Sequence, residues 1–249
     1  MNLPDLYDVL VLAMLVLAPV VFVVLFYISA PYGRFTRAGW GPTLNNRVGW
    51  FVMEAPVSLV VAFIMLFLVE LNTVTWVFFF MWQLHYFHRA FIYPFSLRAS
   101  RSMPIVIALM AILFNSINAY LIGFHFVLNS YEFEWLTSPF FILGSILYGT
   151  GYVVTKRSDT ILRSLRTPGD KSYKVPHGFL YRYVSCPNYL GEIIQWAGWA
   201  ILTWSMAGLV FLVWTIANLA PRAIAHHKWY GETFPDYPSE RKALLPFIF

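Results

Sequence analysis

Two carboxylates stand inside apolar runs of this chain. Glu54 lies in GWFVMEAPVS and Glu192 in PNYLGEIIQWAG. An acid in hydrocarbon is costly to keep, so both are read as functional. Asn188, Glu192, Gln195 and Trp199 recur at helical spacing and make one polar stripe. Tyr86, Arg89 and Tyr93 share a face in LHYFHRAFIY. Asn115, Asn118 and His125 form a weaker stripe. These three are read as hydrogen-bond partners between helices. Arg89 is open to two readings, as a functional cation or as a marker of the membrane interface. A phenol aimed at an oxygen that gains negative charge speeds a reaction. Arginine suits planar, bidentate phosphate recognition.

The elements that must position these residues are membrane helices. Of 249 residues, 59% are hydrophobic and 12% charged, where soluble domains carry roughly 25% charged. Mean hydropathy is +0.62. A soluble domain and a disordered chain are both excluded. Cys186 stands alone, so no internal disulfide forms. The opening MNLPDLYDVL is acidic where a signal peptide would be basic, so the first apolar run is expected to stay as a helix. Spans are expected at about Leu6–Ile28, Gly49–Val69, Thr73–Tyr93, Pro104–Leu128, Pro139–Thr155, Asn188–Trp204 and Met206–Ala220. A bilayer crossing takes about 20 residues. The tail from Arg222 to Phe249 reads as an interfacial segment.

Charge supports seven crossings. All 17 Lys and Arg fall after the first, third, fifth and seventh spans, or at the end of the third. The alternate loops hold Glu70, Glu132 and Glu134 instead. The expected fold is therefore an all-α bundle of seven transmembrane helices, amino terminus outside and carboxyl terminus cytosolic. It reads as a single membrane-embedded domain over 1–249. The polar faces, His125 excepted, then lie toward the cytosolic ends of the helices.

A basic cytosolic rim suits an anionic cofactor such as a nicotinamide dinucleotide phosphate. It equally serves orientation and anionic lipid, and charge alone favours the latter. No GxGxxG fingerprint is present, so loops and helix ends would have to grip a dinucleotide. Six histidines, paired closely only at His85/His88 and His226/His227, are too few for a membrane di-iron site. No metal is expected, nor a nucleic-acid or obligatory protein partner.

The chain resembles the steroid 5α-reductase family (3-oxo-5α-steroid 4-dehydrogenases). The resemblance covers nearly the whole length and is strongest after residue 155. It rests on the run from SDTILRSL to GWAILTWS, on RAIAHHKWYGETFPDYPSERKALLPFIF, and on MEAP, LHYFHRAFIYPF and INAYLIGF upstream. Sterol reductases, enoyl-CoA reductases and isoprenylcysteine methyltransferases share the carboxyl-terminal pattern more loosely. The resemblance implies a seven-helix enzyme that uses NADPH to reduce a Δ4 double bond conjugated to a 3-oxo group. It implies that residues 100–249 carry most cofactor contacts. The family's catalytic acid falls on Glu54 and its catalytic phenol on Tyr86. Its cofactor contacts fall on Tyr32, Arg89, Arg101, Asp159, Arg166, Tyr173, Lys174, Asn188, Glu192, Arg222, His226 and Tyr230. Met53, Lys174 and Pro187 depart from the familiar pattern, which has Gln, Arg and a small residue there. A bacterial homologue in the inner membrane is the expectation, or the endoplasmic reticulum if the source is eukaryotic. The steroid-like enone would enter from the lipid phase. A related double-bond reductase, a methyltransferase and a proton-coupled transporter are the alternatives.

Overall fold

The computed structural model describes residues 3–97, 102–167 and 172–249. Helices dominate: α1 Leu3–Tyr27, α2 Asn46–Leu68, α3 Thr73–Phe87, α4 Tyr93–Ser96, α5 Ile105–Leu128, α6 Pro139–Ser164, α7 Pro187–Thr203 and α8 Met206–Thr233. Each of the seven expected apolar runs lies on a helix. Among the described residues, α1, α2, α5 and α8 are long and apolar enough to cross a membrane. This is a multi-pass membrane protein. Rows of exposed Leu, Val and Phe, such as Leu12, Val16, Val20 and Val23 on α1, would be untenable in water and suit lipid.

Local chemistry sets the ends of these helices. Asn45 caps α2, its side chain accepting from Arg47 N at 2.9 Å. Asn72 and Thr75 form a reciprocal capping box at the start of α3. That third run does not stay α-helical to Tyr93. It widens into a π turn, His88–Ile92, before α4, a distortion that often marks function. Between α7 and α8, Trp204 takes a left-handed conformation with φ 47° and ψ 43°, which breaks the apolar run into two helices. α6 reaches Ser164 and α8 reaches Thr233. The residues after Arg222 therefore begin as helix, and only 234–249 form an irregular tail. A short antiparallel ladder, β1 Thr43–Asn45 with β2 Ser102–Pro104, supplements the helices.

The contacts gather into two units. The first comprises 3–14, 30–97, 102–141 and 205–207. Here α2 packs on α5 and α3 around Val57, Val61, Met65, Phe78, Trp82 and Leu121. Two polar ties lock it. Asn115 Nδ2 donates to the Met53 carbonyl at 2.7 Å. Gln83 Nε2 donates to the Ser58 carbonyl at 2.9 Å while Ser58 Oγ donates to Gln83 Oε1 at 2.6 Å. His125 meets the Tyr131 hydroxyl at 2.6 Å. Of the three residues of that α5 stripe, Asn115 thus ties α5 to another helix, whereas His125 meets the loop after its own helix, and Asn118 Nδ2 donates to the Phe114 carbonyl within α5 at 2.8 Å.

The second unit comprises 15–29, 142–204 and 208–249. Glycine allows α6 and α7 to touch backbone to backbone. A Cβ at Gly151 would lie 2.5 Å from the Gly191 carbonyl, and one at Gly198 2.6 Å from the Gly144 carbonyl. Close approach through small residues is how membrane helices associate. Gln195 and Trp199 are buried in this packing, so the α7 polar stripe divides. Asn188 and Glu192 remain half-buried at its start.

Candidate active site and cofactor site

In the first unit the site grows from α2 and the end of α3. Glu54 and Trp50 are one turn apart on α2. Arg89 sits in the π turn, its Nε 3.5 Å from Glu54 Oε1, with the two side chains 12% and 17% exposed for Glu54 and Arg89 respectively. The guanidinium lies over the Trp50 ring at 4.7 Å and the Tyr93 ring at 4.9 Å. Tyr32 packs edge-on against Trp50, with centroids 6.2 Å apart. Charge is thereby tolerated in an apolar helix: the acid has a cation, and the cation has two π faces. Tyr86 is buried one turn beyond Trp82, ring centroids 4.7 Å apart, with His85 at 5.0 Å.

The structure thus brings Glu54, Arg89 and Tyr32 into one aromatic cluster. The Tyr86–Arg89–Tyr93 spacing survives the π turn well enough for Arg89 to stack on Tyr93. Trp50 was missed by sequence reading. Its position one turn before Glu54 was the available signal.

In the second unit, α6, α7 and α8 supply the remaining residues. Asn188 Nδ2 donates to Asp159 Oδ1 at 3.3 Å. Arg222, His226 and Tyr230 recur every four residues on α8 and are all buried. Tyr189 reaches two of them. Arg222 Nε donates to its hydroxyl oxygen at 3.2 Å, and His226 Nε2 lies 3.2 Å from the same oxygen. Arg166 lies over the Tyr173 ring at 4.6 Å, and Tyr173 packs edge-on against Trp229 at 5.1 Å. Tyr230 stacks on Tyr237, centroids 5.2 Å apart and planes within 5°. Lys174 is exposed and Glu192 half-buried. Arg101 lies outside the described residues.

The tail closes onto this cluster. Ser185 Oγ meets His227 Nδ1 at 2.7 Å and the Tyr237 hydroxyl at 2.6 Å, and donates to the Lys242 carbonyl at 3.2 Å. Burial pushes the Tyr237 phenol above its ordinary range, partly offset by its bond to Ser185 and by Arg241. Arg241 is buried, donates to the Pro176 carbonyl at 3.0 Å and lies over Tyr237 at 5.2 Å. Tyr189, Ser185 and Arg241 were not singled out from sequence. Only the repeated aromatics of the tail hinted at them.

The donor set of the second unit fits an anionic dinucleotide. Arg166, Lys174, Arg222 and His226 can face phosphate, Asn188 can face an amide, and Tyr173 and Tyr230 offer rings. Of these, Asn188, Arg222 and His226 gather at the first turn of α7, a helix of 17 residues, where backbone N–H groups favour negative charge. No nucleotide fold is needed for this.

Comparison with known proteins bears on both units. A family model described as 3-oxo-5-alpha-steroid 4-dehydrogenase matches residues 101–249. The steroid 5-alpha-reductase DET2 of Gossypium hirsutum is 38% identical over 253 aligned positions, spanning 98% of each chain. That of Arabidopsis thaliana is 38% identical over 96% of this chain and 95% of its own. The 3-oxo-5-alpha-steroid 4-dehydrogenase 1 of Bos taurus is 37% identical over 93% of each.

Proposed function

This chain belongs to the 3-oxo-5-alpha-steroid 4-dehydrogenase family, and on that premise we propose that it reduces the Δ4 double bond of a 3-oxo-Δ4 steroid. NADPH supplies the hydride, delivered to C5, the β-carbon of the enone. The ring ketone oxygen then gains negative charge. Tyr86 donates a hydrogen bond to that oxygen. Such a donor is worth about 2.7–4 kcal/mol when it is aimed where charge develops. Glu54, paired with Arg89, orients or polarises the Tyr86 phenol or the substrate. The α-carbon must later gain a proton, from Tyr86 or from water.

The cofactor grip is assigned to Asn188, Glu192 and Tyr230 at the nicotinamide. Arg166 and Arg222 are assigned to phosphates, with Tyr32, Arg89, Arg101, Asp159, Tyr173, Lys174 and His226 as further contacts. Seven crossings, with every Lys and Arg on the cytosolic side, are the reading that the charge pattern supports. The steroid, being apolar, enters from lipid. The chain acts as a single catalytic domain, with most cofactor contacts after residue 100. The observation that carries this reading is the Glu54–Arg89 pair, boxed by Trp50 and Tyr93 inside an apolar helix.

The test is NADPH consumption by purified protein with testosterone, progesterone and a linear enone, measured side by side. Consumption with the two steroids, accompanied by loss of the enone absorbance, is expected. Consumption with the linear enone alone would move the protein to a general enoyl reductase. No consumption with any of the three would reject the reading.

A further inference from the structure

Tyr189 follows Asn188 in the first turn of α7. Its ring lies against the His226 imidazole with centroids 5.8 Å apart. Its hydroxyl meets both Arg222 Nε and His226 Nε2, each at 3.2 Å. Arg222 and His226 are one turn apart on α8 and only 8% and 7% exposed. Two buried side chains therefore meet one phenol oxygen.

A guanidinium only donates, so the Nε–H of Arg222 takes a lone pair of the phenol oxygen. The phenol keeps its own hydrogen, and His226 Nε2 is an acceptor within reach of it. With the phenol hydrogen given to Nε2, the imidazole proton sits on Nδ1. The guanidinium is planar, so fixing Nε also fixes the direction of its two Nη groups.

We propose that Tyr189 is a positioning residue of the cofactor site. Its phenol sets the plane of the Arg222 guanidinium and the Nδ1-protonated form of His226 for the phosphates of NADPH. The proposal rests on the reading of Arg222 and His226 as cofactor contacts. It adds a residue that neither the sequence motifs nor the family pattern singles out.

The test uses Tyr189→Phe, which keeps the ring and removes only the oxygen, in the full-length protein in nanodiscs. NADPH affinity is read by nucleotide fluorescence, and kcat at saturating NADPH is read separately. Hydrogen bonds to charged groups are typically worth enough to shift binding by about tenfold. The Kd for NADPH should therefore rise about tenfold while kcat at saturation stays unchanged. In an Arg222→Ala background the same change should matter little, because the two residues act together. Nitrogen-15 spectra of His226 should place the proton on Nδ1 in the wild type and lose that preference in Tyr189→Phe.

An unchanged Kd would overturn the proposal. So would fully multiplicative effects in the double variant, or an Nε2-protonated His226 in the wild type. A fall in kcat with unchanged Kd would also defeat it. If the wild type binds no NADPH, the cofactor reading fails and the proposal with it. Bound NADPH with an unchanged Kd defeats the proposal alone.

Discussion

Glu54 meets one cation, and that cation is boxed between an indole and a phenol. Arg222, by contrast, is engaged through Nε by the neutral hydroxyl of Tyr189. The first arrangement makes an isolated charge tolerable in an apolar helix. The second holds a cation by its edge. Arginine thus does different work in the two units. Arg89 braces an acid, and Arg222 is aimed by a phenol. Arg89 was expected among the cofactor contacts, and spacing alone did not reveal its engagement with Glu54.

Changes in the first unit should move turnover, and changes in the second should move cofactor affinity. The largest expected effect is Tyr86→Phe. Loss of one oxyanion donor costs roughly 10²–10³ in kcat, and NADPH affinity by fluorescence titration should stay within about twofold. Comparable losses in kcat and affinity would erase the contrast between the units. Next comes Arg166→Ala. Removing one charge-assisted contact should raise the Kd for NADPH about tenfold. The salt dependence of binding should flatten at the same time, because fewer charges remain to be screened. A steeper salt dependence would remove Arg166 from phosphate contact.

The smallest effect sharpens the first unit. Gln83→Met deletes both bonds to Ser58. Hydrogen bonds between membrane helices average about 0.6 kcal/mol, so a thermal shift of a few degrees and a few-fold fall in kcat are expected. A loss as large as that of Tyr86→Phe would mean that Gln83 belongs to the chemistry itself.

Much of the fold was legible because apolar length and charge placement speak for themselves. Seven runs were expected and seven fall on helices, including the division near Ser205 that Trp204 enforces. The exact helix ends were less legible. α6 and α8 outrun the apolar windows because their last turns carry Lys156, Arg157, Arg222 and Lys228, and tertiary packing sustains helix where hydropathy fades. The π turn at His88–Ile92 leaves no signature beyond Pro94 shortly after it. The acid and the phenol were singled out because an acid in hydrocarbon is conspicuous and the flanking motifs resemble a family. Tyr189, Trp50 and Arg241 were hidden for the opposite reason. In a chain that is 19% aromatic, one more ring carries no signal until its partners are known. Gly144, Gly151, Gly191 and Gly198 make a seven-residue spacing on both helices, which sequence alone could have shown.

The central claim is that Glu54 serves the chemistry while the second unit holds the cofactor. Glu54→Gln tests it most directly, with NADPH binding and steroid-dependent NADPH oxidation measured on the same preparation. Nearly unchanged binding with turnover reduced by at least about 100-fold is the result expected. Wild-type turnover in this variant, or binding lost in step with turnover, would contradict it.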